Sequence, residues 1–364
     1  MNMSEARHFI FDSLRGNLRE DVDMGRFTSW RAGGVAERIY QPADLADLAA
    51  FLRTLPANEP LLALGLGSNL LVRDGGLRGT VLLLHAALDE LRMETDGALL
   101  SPQGGGRGCS EGRQSTTQQA ACGIDTKATD NKVRQSETNQ RLDGVDTVAT
   151  TTLYVQAGVV GAKLARFAAL HSLGGAEFFA GIPGTLGGML AMNAGCYGSE
   201  TWDVVQRVQV MDRSGALHER SKADYEIGYR HVALRPTAAA YAEEFFVGAW
   251  LRLPAGDEAT ARAAIKALLA KRIASQPLNL PNAGSVFRNP PGDHAARLIE
   301  QCGLKGRQIG GAQVSEKHAN FIVNIRGALA ADIENLIAEV QATVKQQTGV
   351  ELHPEVRIVG LVNG

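Results

Sequence analysis

The sequence LLALGLGSNLLVRDGG, residues 61–76, carries two glycines one residue apart directly after an apolar run. A dinucleotide-binding G-x-G-x-x-G loop begins in this way, but Leu70 stands where its third glycine would be. Such a loop must also open a helix, because the helix N-terminus holds the pyrophosphate. The residues after Gly67 read Ser-Asn-Leu-Leu-Val, which favours a strand. We therefore predict a strand–loop–strand unit and not a Rossmann unit.

Two interpretations of this loop are open. Its glycines can let neighbouring backbone N–H groups converge on a phosphate, with the serine hydroxyl and the asparagine amide as further donors. The same residues also suit a tight hairpin turn that binds nothing. The candidate cofactor-binding residues of this stretch are Gly65, Gly67, Ser68, Asn69 and Leu70.

A second glycine-rich stretch, EFFAGIPGTLGGMLAMNAGCYG, spans residues 177–198. It predicts a loop that feeds a short helix of small residues, against whose backbone a large flat ligand could lie. Thr185 would be the helix N-cap or a phosphate donor. Close packing of the helix on a sheet would also explain the small residues, but two separate glycine-rich loops favour a large two-part nucleotide such as FAD. The candidate cofactor-binding residues here are Gly181, Ile182, Pro183, Gly184, Thr185, Gly188, Asn193, Ala194 and Gly195.

Composition narrows the class of protein. The chain has 364 residues, of which 45% are hydrophobic and 21% charged, as in globular proteins of two or three domains. A net charge of −2 gives no basic field for nucleic acid or membrane. The four cysteines are scattered and no signal or membrane-spanning segment is evident, so we expect a cytoplasmic protein, by default a monomer. Histidine spacing gives no reason to expect a metal.

Hydrophobic periodicity predicts a mixed α+β protein. Residues 1–20 are interpreted as a helical extension that leads into the fold. Residues 257–275 form a predicted helix whose acidic start and basic end complement its dipole. Residues 101–141 contain only two bulky aliphatic side chains, so we predict a disordered insertion within residues 100–148.

Three further residues are weak signals when taken singly. Ser285 follows a glycine but lacks the G-x-S-x-G context of a nucleophile elbow. Arg230 lies in GYRH, and Glu355 enters the last predicted strand behind a proline. Each would ordinarily be a turn or surface residue.

In combination, these stretches resemble the UDP-N-acetylenolpyruvoylglucosamine reductase family, in its shorter subtype. Seven motifs occur in the order of that family and cover most of the chain outside residues 1–20 and about 100–148. They are TSWRAGG (28–34), LGLGSNLLVRDGG (64–76), AGIPGTLGGMLAMNAGCYG (180–198), YRH (229–231), NAGSVFRNP (282–290), GLKGRQIGGAQVSEKHANFIVN (303–324) and HPEV (353–356).

The resemblance implies an FAD-binding fold of the vanillyl-alcohol-oxidase type with a third, substrate-binding α+β domain. We expect FAD subdomains at 21–90 and 91–235, a substrate domain at 236–350 and a catalytic strand at 351–364. NADPH would reduce a non-covalently bound FAD. The reduced flavin would then pass hydride to the enolpyruvyl group of UDP-N-acetylglucosamine-enolpyruvate, giving UDP-N-acetylmuramate for peptidoglycan synthesis.

The resemblance also implies roles for single residues. Arg230 would stabilise the enolate that hydride transfer creates, and Ser285 would donate the proton that follows. Glu355 would contact the substrate carboxylate or deliver a proton, which requires a pKa raised by burial and by the anionic substrate. Expected substrate-binding residues are Tyr229, Asn289, Lys305 and His318. Cys196 lies in the second glycine-rich stretch, so its sequence position leaves a covalent flavin link open.

Two other functions stay open. A flavin oxidase of the same fold acting on another substrate would share both glycine-rich stretches but would not need Arg230, Ser285 and Glu355 together. A catalytically silent nucleotide-binding protein would need neither the reaction nor the three residues. We therefore predict an oxidoreductase with that trio as its catalytic group.

Overall fold

The computed structural model describes residues 14–94, 149–238 and 243–363. The predicted insertion at 100–148 and the first thirteen residues of the predicted N-terminal extension lie outside the described residues. All the described residues belong to one compact unit.

The first part of the chain builds a four-stranded sheet. The elements of this part are β1 (Asn17–Asp23), β2 (Val35–Gln41), α1 (Leu45–Thr54), β3 (Leu61–Leu64), β4 (Leu70–Val72) and β5 (Leu77–Leu83). The strands of the sheet follow the order β1-β2-β5-β3, with β1 antiparallel to β2 and the pairs β2–β5 and β3–β5 parallel. The predicted strand–loop–strand unit is present, because β3 ends at Leu64 and β4 begins at Leu70.

The prediction for residues 1–20 is wrong at its C-terminal end. Residues 17–20 belong to β1, where each of them pairs with a residue of β2. The hydrogen bonds to β2 satisfy the backbone groups of these residues, although their own sequence pattern indicates no strand. This segment is therefore an edge strand of the first sheet.

A five-stranded antiparallel sheet, in the order β11-β10-β14-β7-β6, forms the second part. Its strands are β6 (Leu91–Glu94), β7 (Thr150–Gln156), β10 (Val205–Asp212), β11 (Leu217–Ser221) and β14 (Glu244–Pro254). Between them lie α2 (Gly161–Leu170), α3 (Leu186–Met192), β8 (Gly195–Cys196), β9 (Ser199–Glu200), α4 (Thr201–Val204), and the hairpin of β12 (Tyr225–Gly228) and β13 (His231–Leu234).

The second part extends beyond the predicted boundary at residue 236. Strand β14 lies between β10 and β7 in the middle of the second sheet. The helix α5 (Glu258–Ser275) then packs against α2 and the 3₁₀ turn at Glu177–Gly181. The position of a strand in a sheet depends on the strands with which it pairs. The sequence of β14 alone therefore does not show that the second part continues past residue 236. The C-terminal domain begins after Ser275.

The C-terminal domain packs its helices on a three-stranded sheet, β15-β16-β17. Its elements are α6 (Ala295–Gln301), β15 (Gln308–Ile309), β16 (Ala312–Val314), β17 (Ile322–Asn324), α7 (Ala330–Thr348) and β18 (Arg357–Val359). Helix α7 buries the apolar residues that recur along it at helical spacing, which are Ile333, Leu336, Ile337, Val340 and Val344.

Several contacts join the C-terminal domain to the first part of the chain, and two of them position the cleft. The fully buried indole of Trp30 packs in the core of the C-terminal domain and donates a 2.8 Å hydrogen bond to the Ile322 carbonyl. Strand β18 pairs in parallel with β4. The residues at the start of β18 are therefore held beside the loop between β3 and β4.

Candidate functional site

A cleft of about 530 Å³ lies between the two glycine-rich stretches and the C-terminal domain. We call residues 65–69 the first glycine loop and residues 181–185 the second glycine loop. Every residue expected to bind the cofactor lines the cleft except Asn193. Arg230, Ser285 and Glu355 line the same cleft. The fold therefore brings five distant segments of the chain to one cavity.

The two glycine loops touch each other. A Cβ at Gly65 would lie 2.2 Å from the hydroxyl oxygen of Thr185, a distance that no side chain could adopt. Gly67 has a φ of +61°, and a Cβ there would collide with the Phe27 carbonyl. Glycine is therefore required at position 65 for the two loops to approach one another, and at position 67 for the first glycine loop to pass close to Phe27.

The donors of the first glycine loop fit a phosphate group. The backbone N–H groups of residues 65–69 donate a hydrogen bond to no other residue that the structure describes. Consecutive unpaired N–H groups of this kind form an anion-binding nest. This observation favours the phosphate-binding interpretation of the loop over the empty hairpin.

The start of α3 fits a ligand that lies flat on backbone. Thr185 is the N-cap of this helix by position and is 2% exposed, yet its side chain makes no capping hydrogen bond. A Cβ built at Gly188 would meet nothing within 4 Å, because this face of α3 borders the open cleft. An unused hydroxyl and a bare backbone surface suit the diphosphate and ring system of FAD.

Arg230 occupies the two-residue turn between β12 and β13 with a φ of +53°. Its Nε donates a 2.6 Å hydrogen bond to Oε1 of Glu355. Its two terminal nitrogens donate to the carbonyls of Asn193, at 3.3 Å, and Gly195, at 3.1 Å. A non-glycine residue in left-handed conformation at a functional site is strained and must be held by its surroundings. These three hydrogen bonds supply that restraint.

Glu355 has the raised pKa that its expected role requires. Burial raises the pKa of this carboxyl, while the positive charges of Arg230 and Arg288 oppose the shift. The side chain is 14% exposed, and that of its partner Arg230 is 17% exposed. Burial therefore outweighs the attraction of the ion pair in setting the pKa.

Ser285 borders the cleft directly after Gly284. Its hydroxyl has no hydrogen-bond partner among the described residues, whereas the next residue, Val286, donates its N–H to the Asn320 carbonyl at 2.9 Å. The backbone is therefore fixed while the hydroxyl stays available to a ligand.

Cys196 lines the cleft as a protonated thiol. Burial raises its pKa to about 11, against the opposing charges of Arg272 and Arg230. Its sulfur donates to the Phe178 carbonyl at 3.0 Å. Because the thiolate is the nucleophilic form of cysteine, this thiol is poorly suited to a covalent flavin link.

The four expected substrate-binding residues do not line the cleft. The side-chain oxygen of Asn289 accepts the N–H of Ala295 at the start of α6, and Lys305 pairs with Glu300 at 2.9 Å. Tyr229 is 48% exposed in the turn beside Arg230. These side chains are occupied locally or face solvent, and their binding role stays a prediction. The fourth residue is His318, whose burial lowers its pKa.

Arg272 is a site residue that sequence reasoning missed. It lies near the end of α5, where basic residues are already expected because they complement the helix dipole. The sequence therefore contains no indication that Arg272 lines a binding site. It lines both the cleft and an adjoining cavity of about 280 Å³ that also contains Arg31. Burial lowers the pKa of its guanidinium, whose Nε donates to Gln276 at 2.9 Å.

Two other properties of the described residues bear on function. They contain no group of three or more histidine, cysteine, aspartate or glutamate side chains placed to hold a metal ion. Among the helices of residues 14–94, 149–238 and 243–363, none is long and apolar enough to cross a membrane.

Comparisons with known proteins agree with this geometry. Residues 276–359 match a family model described as the C-terminal domain of UDP-N-acetylenolpyruvoylglucosamine reductase, and residues 92–221 match one described as an FAD binding domain. The first match begins where α5 ends. The chain thus contains an FAD-binding domain, and the predicted FAD-binding α+β fold is confirmed.

Relatives match over almost the whole chain. UDP-N-acetylenolpyruvoylglucosamine reductase of Nitrosospira multiformis is 52% identical, covering 99% of this chain and 94% of the relative. The protein of that name from Thiobacillus denitrificans is 51% identical, covering 95% and 93%. The crystal structure of UDP-N-acetylenolpyruvylglucosamine reductase from Thermus caldophilus is 25% identical with a TM-score of 0.65, covering 95% of this chain and 99% of that one.

Proposed function

Because this chain belongs to the UDP-N-acetylenolpyruvoylglucosamine reductase family, we propose that it converts UDP-N-acetylglucosamine-enolpyruvate to UDP-N-acetylmuramate with FAD and NADPH. One observation carries this proposal: Arg230, Ser285 and Glu355 line the same cleft as the two glycine loops. A cleft that only bound a nucleotide would not need a cation, a hydroxyl and a carboxyl of raised pKa together.

FAD fits the cleft through groups of this chain. The unpaired N–H groups of the first glycine loop and the Thr185 hydroxyl would hold its diphosphate, and the bare backbone at Gly188 would contact its flat part. When bound, FAD supplies the hydride that adds to the vinyl carbon of the substrate. The protonated thiol of Cys196 supports non-covalent binding.

Arg230 stabilises the charge that the reaction creates. Hydride addition to the vinyl carbon leaves negative charge that spreads into the substrate carboxylate. A guanidinium fixed by three hydrogen bonds is preorganised for that charge and needs no rearrangement during the reaction. Removing one such group typically slows an enzyme by about 10²- to 10³-fold.

Ser285 and Glu355 handle the proton and the carboxylate. The Ser285 hydroxyl, which makes no bond to a described residue, donates the proton that completes the lactyl ether. Glu355 in its protonated form can hydrogen-bond the substrate carboxylate without repelling it. Its raised pKa increases the population of that form near neutral pH.

The substrate diphosphate requires cations outside the flavin part of the cleft. Arg272 and Arg31 line the adjoining cavity, which shares Gly284 with the cleft and so begins one residue from Ser285. Arginine suits this role because its planar fork can bind a phosphate through two hydrogen bonds. Lys305, by contrast, would act as a point charge at the outer part of the site.

The remaining assignments follow from the sequence. No second dinucleotide fingerprint occurs, so NADPH and the UDP-sugar would use the open part of the cleft in turn. We place the enzyme in the cytoplasm as a monomer, acting without nucleic acid or membrane.

Anaerobic half-reactions test the proposal. The purified protein should have a flavin absorption spectrum, NADPH should bleach it, and UDP-N-acetylglucosamine-enolpyruvate should restore it. Flavin that NADPH reduces but that only molecular oxygen reoxidises would favour the alternative, a flavin oxidase of the same fold acting on another substrate. Protein purified without flavin, and unable to take it up, would contradict both.

A further inference from the structure

Asn193 is the one expected cofactor-binding residue that does not border the cleft. It is 2% exposed at the end of α3, in left-handed conformation with a φ of +43°. Its amide nitrogen donates to Glu200 Oε2 at 2.7 Å and to the Gly228 carbonyl at 3.2 Å. Its amide oxygen accepts the N–H of Trp202 at 3.1 Å. This amide is satisfied by protein alone.

Two of the contacts of Asn193 converge on Arg230. Gly228 is the last residue of β12 and pairs with His231 across the turn that carries Arg230. The backbone carbonyl of Asn193 accepts a hydrogen bond from the Arg230 guanidinium at 3.3 Å. Asn193 therefore contacts both the residue that precedes the turn, Gly228, and the guanidinium of Arg230.

We infer that Asn193 is a positioning residue for Arg230 and not a ligand of the flavin. This inference rests on the proposed function, because its kinetic consequence is a change in the step that Arg230 assists. Arg230 has a φ of +53°, so its turn must be held from outside. The Asn193 amide holds it through Gly228, and the Asn193 carbonyl aligns the guanidinium that reaches Glu355.

The first variant is Asn193→Gly. Glycine accepts the positive φ and keeps the backbone carbonyl, so it removes only the side-chain amide. We expect the dissociation constant of FAD and the rate of flavin reduction by NADPH to stay within about threefold of wild type. The rate at which UDP-N-acetylglucosamine-enolpyruvate reoxidises the flavin should fall about tenfold or more, because a mispositioned oxyanion-stabilising group loses much of its effect.

The second variant combines Asn193→Asp with Glu200→Gln and tests the same link while keeping the other contacts of residue 193, in case Asn193→Gly does not fold. The new carboxylate still accepts from Trp202 and pairs with the glutamine amide, but it cannot donate to the Gly228 carbonyl. The hydrogen bond to the turn is thereby replaced by repulsion between two acceptor oxygens, while the contacts with Trp202 and residue 200 are kept. We expect the same selective loss of the second half-reaction, and a crystal structure of the flavin-loaded variant should show Arg230 withdrawn from Glu355.

A double variant that combines Asn193→Gly with Arg230→Ala distinguishes a positioning role of Asn193 from a direct role in the reaction. If Asn193 acts through Arg230, adding Asn193→Gly to Arg230→Ala should cause no further slowing of reoxidation. If the effects of Asn193→Gly and Arg230→Ala multiplied, the inference would be overturned. It would also be overturned if Asn193→Gly weakened FAD affinity tenfold and left reoxidation unchanged, or if Arg230 kept its position in the crystal structure of the second variant. Failure of the wild-type enzyme to be reoxidised by the UDP-sugar would instead count against the proposed function, while the position of Arg230 in the crystal would still decide the inference.

Discussion

Arg230 and Glu355, which are 125 residues apart in the sequence, form a 2.6 Å hydrogen-bonded ion pair at the wall of the cleft. The pair connects the β12–β13 turn to the segment that precedes β18. A carboxylate ligand that bound to Arg230 would compete with Glu355 for the same guanidinium. The negative charge of that ligand would offset the positive charge of Arg230, which opposes the raised pKa of Glu355, so substrate binding should favour the protonated form further.

Replacing Ser285 by alanine should separate the two half-reactions. Flavin reduction by NADPH does not need the hydroxyl and should be nearly unchanged, whereas reoxidation by the UDP-sugar should slow by about 10²-fold or more. Stopped-flow absorbance of the flavin measures both rates. Ser285→Cys, which retains a weak donor, is the matched control and should recover part of the loss. An equal loss in both halves would contradict the role of proton donor.

Glu355→Gln should change how stability depends on pH. The folded-state pKa of Glu355 is raised, so the folded protein binds more protons than the unfolded chain between the unfolded and folded pKa values. The contribution of this group is therefore fully present below the unfolded pKa and is lost as pH rises through the folded value. Stability of the flavin-free wild type relative to Glu355→Gln should fall as pH rises from about 4, measured by urea unfolding.

Glu351→Gln provides the control for this pH series. Its partner Lys345 lowers the pKa of Glu351, so the pH dependence has the opposite direction: any contribution of Glu351 to the free energy of unfolding is lost as pH falls. If the stability of wild type relative to Glu355→Gln increased with rising pH, the ion pair with Arg230 would outweigh burial in setting the pKa of Glu355.

Gly188→Ala should weaken FAD binding without harming the fold. Outside the backbone of its own helix, the added methyl group would meet no protein atom within 4 Å, and Gly188 lines the cleft. Alanine is also favoured over glycine inside a helix by about 1 kcal/mol, so the flavin-free protein should be as stable as wild type or more so. Isothermal titration with FAD and thermal unfolding of the flavin-free protein measure the two effects.

Gly65→Ala is the contrasting variant. Its methyl group would collide with Thr185, so it should lower both stability and FAD affinity. If Gly188→Ala bound FAD as tightly as wild type, the ligand would not lie against α3.

Deleting residues 103–141 should leave FAD binding and turnover within about twofold of wild type. Strands β6 and β7 are antiparallel neighbours, with Glu94 opposite Thr152, so a shorter connection can join them. The closure entropy of a loop depends only logarithmically on its length, so the change in length should have a small effect. The flavin spectrum and steady-state NADPH oxidation measure the outcome. A folded but inactive deletion variant would show that the segment takes part in function.

Local pattern was enough for several features of this protein. Residues 61–76 predicted a strand–loop–strand unit, because a short apolar run that ends at turn residues favours a strand. The apolar residues of α7 recur at helical spacing, so its buried face is visible in the sequence itself. The trio Arg230, Ser285 and Glu355 became recognisable only through ordered motifs that resemble a family, since each residue alone is unremarkable.

The tertiary structure decided what depends on partners from distant parts of the chain. Nothing near Glu244 indicates that β14 lies in the middle of the second sheet, because pairing is a property of two strands. The sequence groups Asn193 with the candidate cofactor-binding residues, and only the structure shows that its amide donates to the Gly228 carbonyl and that the residue does not line the cleft. Spacing along the chain fixes which residues can share an element. The direction of each side chain, and the charge it meets, is set by packing between elements.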